Sequence, residues 1–347
     1  MAEELRLGTR GSQLALWQAN TIAARLAAEG GPPCRLVVIR TSGDQLQEAR
    51  LSDVGGKRLF VKEIEDALLR GDIDLAVHSS KDMPAVLPEG LMIAGVLPRE
   101  DPRDAIVLPV KADGSGLTAD KTEAHQPYAI SHQPSAMATV DDLVAHLGRS
   151  PSIGTGSVRR VAQLMRLFPG ARFAPIRGNL DTRLRKLDEG AHDALVLAAA
   201  GLRRLGFGHR ISLALPADAC VPAPGQGIVA VEIRRGDTRI HEAVARIDDP
   251  AAAAALTAER ALVEALGGGC QTPVGAFASP ADGETLELAA MVVALDGSRV
   301  VRGHARGSRA EAVSLGARVA AQLLKDGADE ILMEALRAQG AVQGIQP

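Results

Sequence analysis

Lys81, Asp82 and Cys270 are the residues through which this 347-residue chain is best equipped to do chemistry. The first two sit in the string Val77-His78-Ser79-Ser80-Lys81-Asp82-Met83-Pro84, where an apolar run stops and delivers a cation and a carboxylate. A carboxylate held there can orient N–H groups and transfer protons. Pro84 discourages a helical continuation and pushes Met83 toward an extended conformation. Cys270 follows three glycines, so backbone bulk near its sulfur is minimal and something large could approach the thiol or be attached to it. A cysteine hydrolase would need a histidine partner, and no histidine string near Cys270 suggests one.

Anion binding is the second theme. Gly8-Thr9-Arg10-Gly11-Ser12 and Gly154-Thr155-Gly156-Ser157 each open an amphipathic helix, the second through about Phe168, and free amides at a helix N-terminus favour negative charge. Arg159 and Arg160 lie on the first turn of the second helix, where cations oppose the macrodipole unless an anion comes to them. Arg177 precedes Gly178-Asn179, and Arg183 and Arg185 lie on the helix that follows. Taken one at a time, these strings are explained equally well by capped helices and ordinary surface charge.

The elements that must position these groups follow from periodicity. Residues 73–77 read as a buried strand, and in an open α/β sheet ligands sit outside the carboxyl ends of strands. Before it the pattern predicts a strand over 5–7, a helix over 13–28, a strand over 36–39, an irregular polar stretch over 41–56 and a helix ending near residue 70. Gly190-Ala191-His192-Asp193-Ala194-Leu195-Val196 repeats the arrangement seen from Gly71 to Val77. With the repeated Gly-Thr turns, this predicts two similar α/β units with a cleft between them.

Residues 109–150 read mostly as an exposed insertion with one short helix over 140–147. Val221-Pro222-Ala223-Pro224-Gly225-Gln226-Gly227 reads as a hinge returning the chain to the first unit through a strand over 228–233. From residue 250 a long helix, three antiparallel strands and two helices predict a small α+β domain. The expected division is residues 1–102 with 228–245, residues 103–221, and residues 250–347.

Composition narrows the partners. A net charge of -3 argues against a generic nucleic-acid binder, while cations that are mostly arginine suit bidentate recognition of carboxylates. Cys34, Cys220 and Cys270 form no metal-ligand spacing and cannot all pair, as a reducing cytoplasm permits. No apolar stretch approaches the roughly 20 residues that cross a bilayer. No Walker loop or Gly-x-Gly-x-x-Gly opens a helix. The expectation is a cytoplasmic monomer with a small-molecule substrate, no metal, and no nucleic-acid or membrane partner.

Together the strings resemble the porphobilinogen deaminase (hydroxymethylbilane synthase) family. They run along nearly the whole chain: Arg10 with Ser12, Gly55-Gly56-Lys57, Leu59-Phe60-Val61-Lys62, His78-Ser79 with Lys81-Asp82, Asp101-Pro102-Arg103-Asp104, Thr155 to Arg160, Arg177-Gly178-Asn179 with Thr182-Arg183, Pro224-Gly225-Gln226-Gly227, and Gly268-Gly269-Cys270-Gln271. The resemblance implies a three-domain transferase whose first two domains are arranged like periplasmic binding proteins. Its implied reaction joins four porphobilinogens head to tail, releasing ammonia and giving hydroxymethylbilane. It implies a dipyrromethane cofactor in thioether linkage to Cys270 and Asp82 as the catalytic residue. Lys81, Arg10, Ser12, Thr155, Ser157, Arg159 and Arg160 are then cofactor contacts, and Arg10, Arg177 and Arg183 substrate contacts. Gly156, Arg58 and Ser42 depart from the family pattern. A non-catalytic two-lobed anion-binding protein is the alternative, and it leaves Asp82 and the Cys270 loop without a task.

Overall fold

The computed structural model describes residues 4–42, 61–110, 136–267 and 272–343. Its strands form three sheets. Lobe 1 is built on the order β2-β1-β3-β10-β4, with β1 at Leu5–Thr9, β2 at Cys34–Val38, β3 at Leu75–Ser79, β4 at Leu91–Val96 and β10 at Val229–Arg234. Lobe 2 has the order β7-β6-β8-β5-β9, from β5 (Asp104–Val107), β6 (Ser152–Gly154), β7 (Arg172–Ala174), β8 (Ala194–Ala198) and β9 (Leu213–Ala214).

The two orders are the same pattern. In each lobe the first three strands are parallel, and an antiparallel strand sits in the fourth place. That fourth strand arrives by a crossing of the chain: β5 enters lobe 2 directly after lobe 1, and β10 re-enters lobe 1 after lobe 2. Because β5 and β10 run against their neighbours, they begin at the edge where the parallel strands end. Asp104 pairs with Ala198, the last residue of β8, and Val229 pairs with Ser79, the last residue of β3. Both hinge segments therefore cross at the carboxyl edges, where an α/β sheet presents its ligand site.

Helices cover the sheets through apolar faces. In lobe 1, α1 (Gln13–Ala28) buries Ile22 and Leu26 against Leu5, Leu7, Leu75 and Val77, and α2 (Lys62–Arg70) buries Ile64 and Leu68. Each such side chain contributes about 1.5–3 kcal/mol on full burial. Lobe 2 holds α3 (Val140–Leu147), α4 (Val158–Leu164), α5 (Leu180–Asp188) and α6 (Ala199–Arg204). Leu143 of α3 is fully buried in the lobe 2 core with Ile153, Leu164 and Phe168. The tail of the expected insertion is thus a working part of the lobe, while residues 111–135 lie outside the described residues. The helix expected to run to residue 168 stops at Leu164 and gives way to a turn that inserts Phe168 into the core.

After α7 (Thr238–Ala245), helix α8 (Pro250–Ala265) opens a third unit. There α8, α9 (Ala312–Lys325) and α10 (Ala328–Gln343) pack on an antiparallel sheet of β11 (Val274–Asp282), β12 (Thr285–Val293) and β13 (Val300–Ser308). Glu259 of α8 ties it to the hinges. Its fully buried carboxylate pairs with Arg99 (2.7 and 3.1 Å) and accepts from the backbone N–H of Gly225 (2.6 Å) and Ala278 (2.7 Å).

Candidate active site

Strand β3 ends at Ser79, and one 3-10 turn, Ser80–Asp82, follows at once. The turn is pinned from three sides. Ser80 N–H donates to Ile228 O (3.0 Å), Met83 N–H closes the turn onto Ser80 O (3.1 Å), and Gln18 of α1 donates to Ser79 Oγ (2.8 Å). Met83 is buried, whereas Lys81 and Asp82 stay half-buried at the surface of the edge. Among the described residues no hydrogen bond or ion pair engages the Asp82 carboxylate. Lys81 Nζ reaches Gln226 Oε1 at 3.4 Å.

Because β1 and β3 are parallel neighbours, the Arg10–Ser12 turn leaves the sheet at the same edge as Asp82. Ser12 caps α1, accepting from Ala15 N–H (3.3 Å). Lobe 2 repeats the construction after β6 and β7. Thr155, buried, accepts from Ser157 N–H (3.3 Å), and Ser157 caps α4. Arg177 and Gly178 lead into Asn179, which caps α5 by accepting from Thr182 N–H (2.9 Å). The structure thus brings Arg10, Ser12, Lys81 and Asp82 to one carboxyl edge, and Thr155, Ser157 and Arg177 to the other. Cys270 and Arg58 lie outside the described residues. Ser42 N–H bonds to Glu63 Oε1 on α2 (2.9 Å).

Arg159 and Arg160 are engaged within the protein. The anion that their place on α4 demands is supplied by the protein itself, in the fully buried carboxylate of Asp104. Arg159 meets it with both terminal nitrogens (2.6 and 3.1 Å) and also donates to Val221 O (2.7 Å). Arg160 reaches the same carboxylate through Nε (2.9 Å) and Nη2 (2.8 Å), and Val196 O through Nη1 (2.8 Å). Burial alone would raise the Asp104 pKa, but the two guanidiniums and the Gln226 amide hold it far below the usual carboxylate range. Beside it, burial and the Asp104 charge push the Cys220 thiol up to about 12. Arg159 is 4% exposed, and its described hydrogen bonds run to Asp104, Cys220 and Val221.

Arg183 contrasts with them. It is half-buried, its one described hydrogen bond runs from Nε to Gly178 O (2.8 Å), and no carboxylate among the described residues pairs with it. Burial and the neighbouring Arg160 charge lower its pKa, the mark of a guanidinium lacking a counter-ion.

Three residues at this junction escaped the reading of the sequence. Asp104 stood only as the last residue of the Asp101-Pro102-Arg103-Asp104 string, with no role assigned. Gln226 stood in the hinge and in the Pro224-Gly225-Gln226-Gly227 string, with no role assigned. Arg204, at the end of α6, donates to Gly227 O (2.7 Å) and lies over the Trp17 ring (5.5 Å), joining lobe 2 to α1 of lobe 1.

Residues 5–242 match the family described as porphobilinogen deaminase, dipyromethane cofactor binding domain, and residues 253–325 match the porphobilinogen deaminase C-terminal domain. A porphobilinogen deaminase of Syntrophobacter fumaroxidans is 44% identical over 335 residues, 96% of this chain and 98% of that protein. One from Moorella thermoacetica is 43% identical over 342 residues, 98% of this chain and 99% of that protein. Among solved structures, the periplasmic aliphatic sulphonate binding protein SsuA from Escherichia coli aligns with 76% of this chain and 70% of its own at 14% identity and a TM-score of 0.37. With matches that extend through both lobes and the third unit, the chain belongs to the porphobilinogen deaminase family.

Proposed function

We propose that this chain carries out the reaction of its family at the Ser80–Asp82 turn: four porphobilinogens are joined head to tail, with loss of ammonia, to give hydroxymethylbilane. The observation that carries the assignment is a carboxylate, Asp82, unengaged among the described residues and fixed at a strand's end on an edge shared with Arg10 and joined at the hinge to a second edge bearing Arg183. Family membership favours this reading over a non-catalytic anion-binding protein.

The residues present fit a dipyrromethane cofactor, whose pyrroles carry acetate and propionate groups. Arg183 is a half-buried cation without a carboxylate partner among the described residues, and Ser12, Thr155 and Ser157 stand at the mouths of helices that open on the two edges. Arg10, Lys81, Arg177 and Arg160 extend the same donor set, each charge-assisted hydrogen bond contributing about 1.5–3 kcal/mol. Cys270 is the attachment point in this reading. When bound, the cofactor supplies the pyrrole carbon to which the first substrate unit is joined.

The work of the chain's own groups is electrostatic and positional. Asp82 accepts hydrogen bonds from pyrrole N–H groups and, as the substrate's amino group leaves, faces the positive charge that develops. Its turn is rigid, so no reorganisation is needed at that moment. Lys81 and the arginines hold substrate carboxylates and thereby set which carbon stands next to Asp82.

Intact-protein mass spectrometry of native enzyme, followed by porphobilinogen consumption, tests the assignment. We expect a mass above that of the polypeptide, lost in Cys270→Ala. A bare polypeptide mass with Cys270 open to alkylation would overturn it.

A further inference from the structure

We propose that Gln226 is a positioning residue whose amide bridges the hinge between the Lys81 ammonium and the Asp104 carboxylate, fixing the catalytic turn of lobe 1 relative to the arginines of lobe 2. The proposal rests on the reaction assigned above and adds to it a residue that need not touch substrate.

The orientation of the amide is forced by its partners. Gln226 is 1% exposed, and its Nε2 lies 2.6 Å from Pro102 O and 3.0 Å from Asp104 Oδ1. Both partners only accept, so the amino end must face them and Oε1 must face Lys81 Nζ, 3.4 Å away. Two donors and one acceptor are thus all used, by groups from lobe 1, lobe 2 and the crossing segment between them. Glutamate keeps the reach and loses the donors; methionine keeps the volume and loses both.

The backbone on either side is built to hold that amide still. Gly225 has φ +72°, and a Cβ there would stand 2.6 Å from Ser80 Oγ and 3.1 Å from Lys81 N, so the hinge lies directly on the catalytic turn. Gly227 has φ +89°, and a Cβ there would run into Glu100 O. Arg99 Nε donates to Gln226 O (2.8 Å) while its guanidinium pairs with Glu259, so the third unit grips the same point. Asp104 in turn sets Arg159 and Arg160. A shift of the Gln226 side chain would therefore be felt both at Lys81 and at the arginine pair.

Two variants of the holoenzyme test this, with cofactor content followed by intact mass. Gln226→Met should lower kcat/KM for porphobilinogen at least tenfold while the cofactor mass is retained. Gln226→Glu carries a pH signature. The charged groups around the side chain are Lys81, Asp104 with Arg159 and Arg160, and the Arg99–Glu259 pair on the backbone side. Protonated, the glutamate can still donate to Asp104; ionised, it sets a second carboxylate against Asp104 and Pro102 O. The ratio of its kcat/KM to that of the wild type should therefore rise as pH falls from 8.5 to 6. A Gln226→Met enzyme within twofold of wild type overturns the proposal, as does a flat Gln226→Glu ratio, the result expected of a merely structural role. If Gln226→Met fails to fold, the Gln226→Glu ratio decides. A wild type that does not consume porphobilinogen removes the assigned reaction, and this proposal with it; an active wild type with a flat ratio removes only the role of Gln226.

Discussion

The two lobes share a strand order and put opposite charges to use. At the carboxyl edge of lobe 1, the last residue of the turn is Asp82, half-buried and unengaged among the described residues. At the matching edge of lobe 2 the aspartate is Asp104, fully buried and bound by two arginines and an amide. One scaffold thus holds a carboxylate kept available and a carboxylate kept saturated. The difference teaches that local chemistry, not the fold, divides the labour: in the proposed reaction lobe 1 supplies the reacting anion, while the lobe 2 anion holds cations in place.

The sharpest way to break that comparison is to neutralise each aspartate in turn. Asp82→Asn should cut kcat by about 10²–10⁴-fold while the thermal midpoint stays within a few degrees of wild type. Retained porphobilinogen consumption would move the reacting carboxylate elsewhere. Asp104→Asn should do the reverse in kind, leaving the buried Arg159 and half-buried Arg160 guanidiniums short of a counter-ion. A loss of about 3–5 kcal/mol is expected in urea denaturation. A loss below about 1 kcal/mol would mean that the arginines are well satisfied without it.

Within lobe 2, the arginines themselves divide. Arg183→Met should raise KM for porphobilinogen or cost cofactor retention, by about tenfold to a hundredfold if one charge-assisted hydrogen bond is lost, with little change in unfolding. Arg159→Met should instead unfold early, and equal stability of the two variants would erase the distinction between frame and ligand surface. The smallest effect is acid dependence. The folded pKa of Asp104 is depressed, so its stabilisation is present above the unfolded value near 3.9 and lost as pH falls through the lower folded value. The stability gap between wild type and Asp104→Asn should hold from pH 7 to about pH 5 and shrink below about pH 4. A gap that shrinks near neutrality would assign the titration to another group.

Much of the architecture was legible because it is local. The helices Gln13–Ala28 and Val140–Leu147 fall where periodicity and caps place them, and the repeated Gly-x-x-Asp strings do precede equivalent strands, β3 and β8. Alternating or helical apolar spacing is a property of a short window, and the core reads it directly. The end of α4 was misplaced because Phe168 is apolar at helical spacing but reaches the core from a turn. Asp104 was given no role because its partners Arg159, Arg160 and Gln226 are distant in sequence and no local pattern names them.

The sequence by itself determined which chemistries were available: a Lys-Asp pair at a strand's end, an arginine supply at helix mouths, and a thiol on a glycine loop. It even exposed the conflict of two cations at the start of α4 and required an anion there. Only the tertiary structure decided what that anion is. Asp104 lies 55 residues before Arg159, and Gln226 lies 122 residues after Asp104. Such pairings depend on approaches of about 3 Å made when two crossing segments meet at the carboxyl edges, a distance that no local pattern encodes.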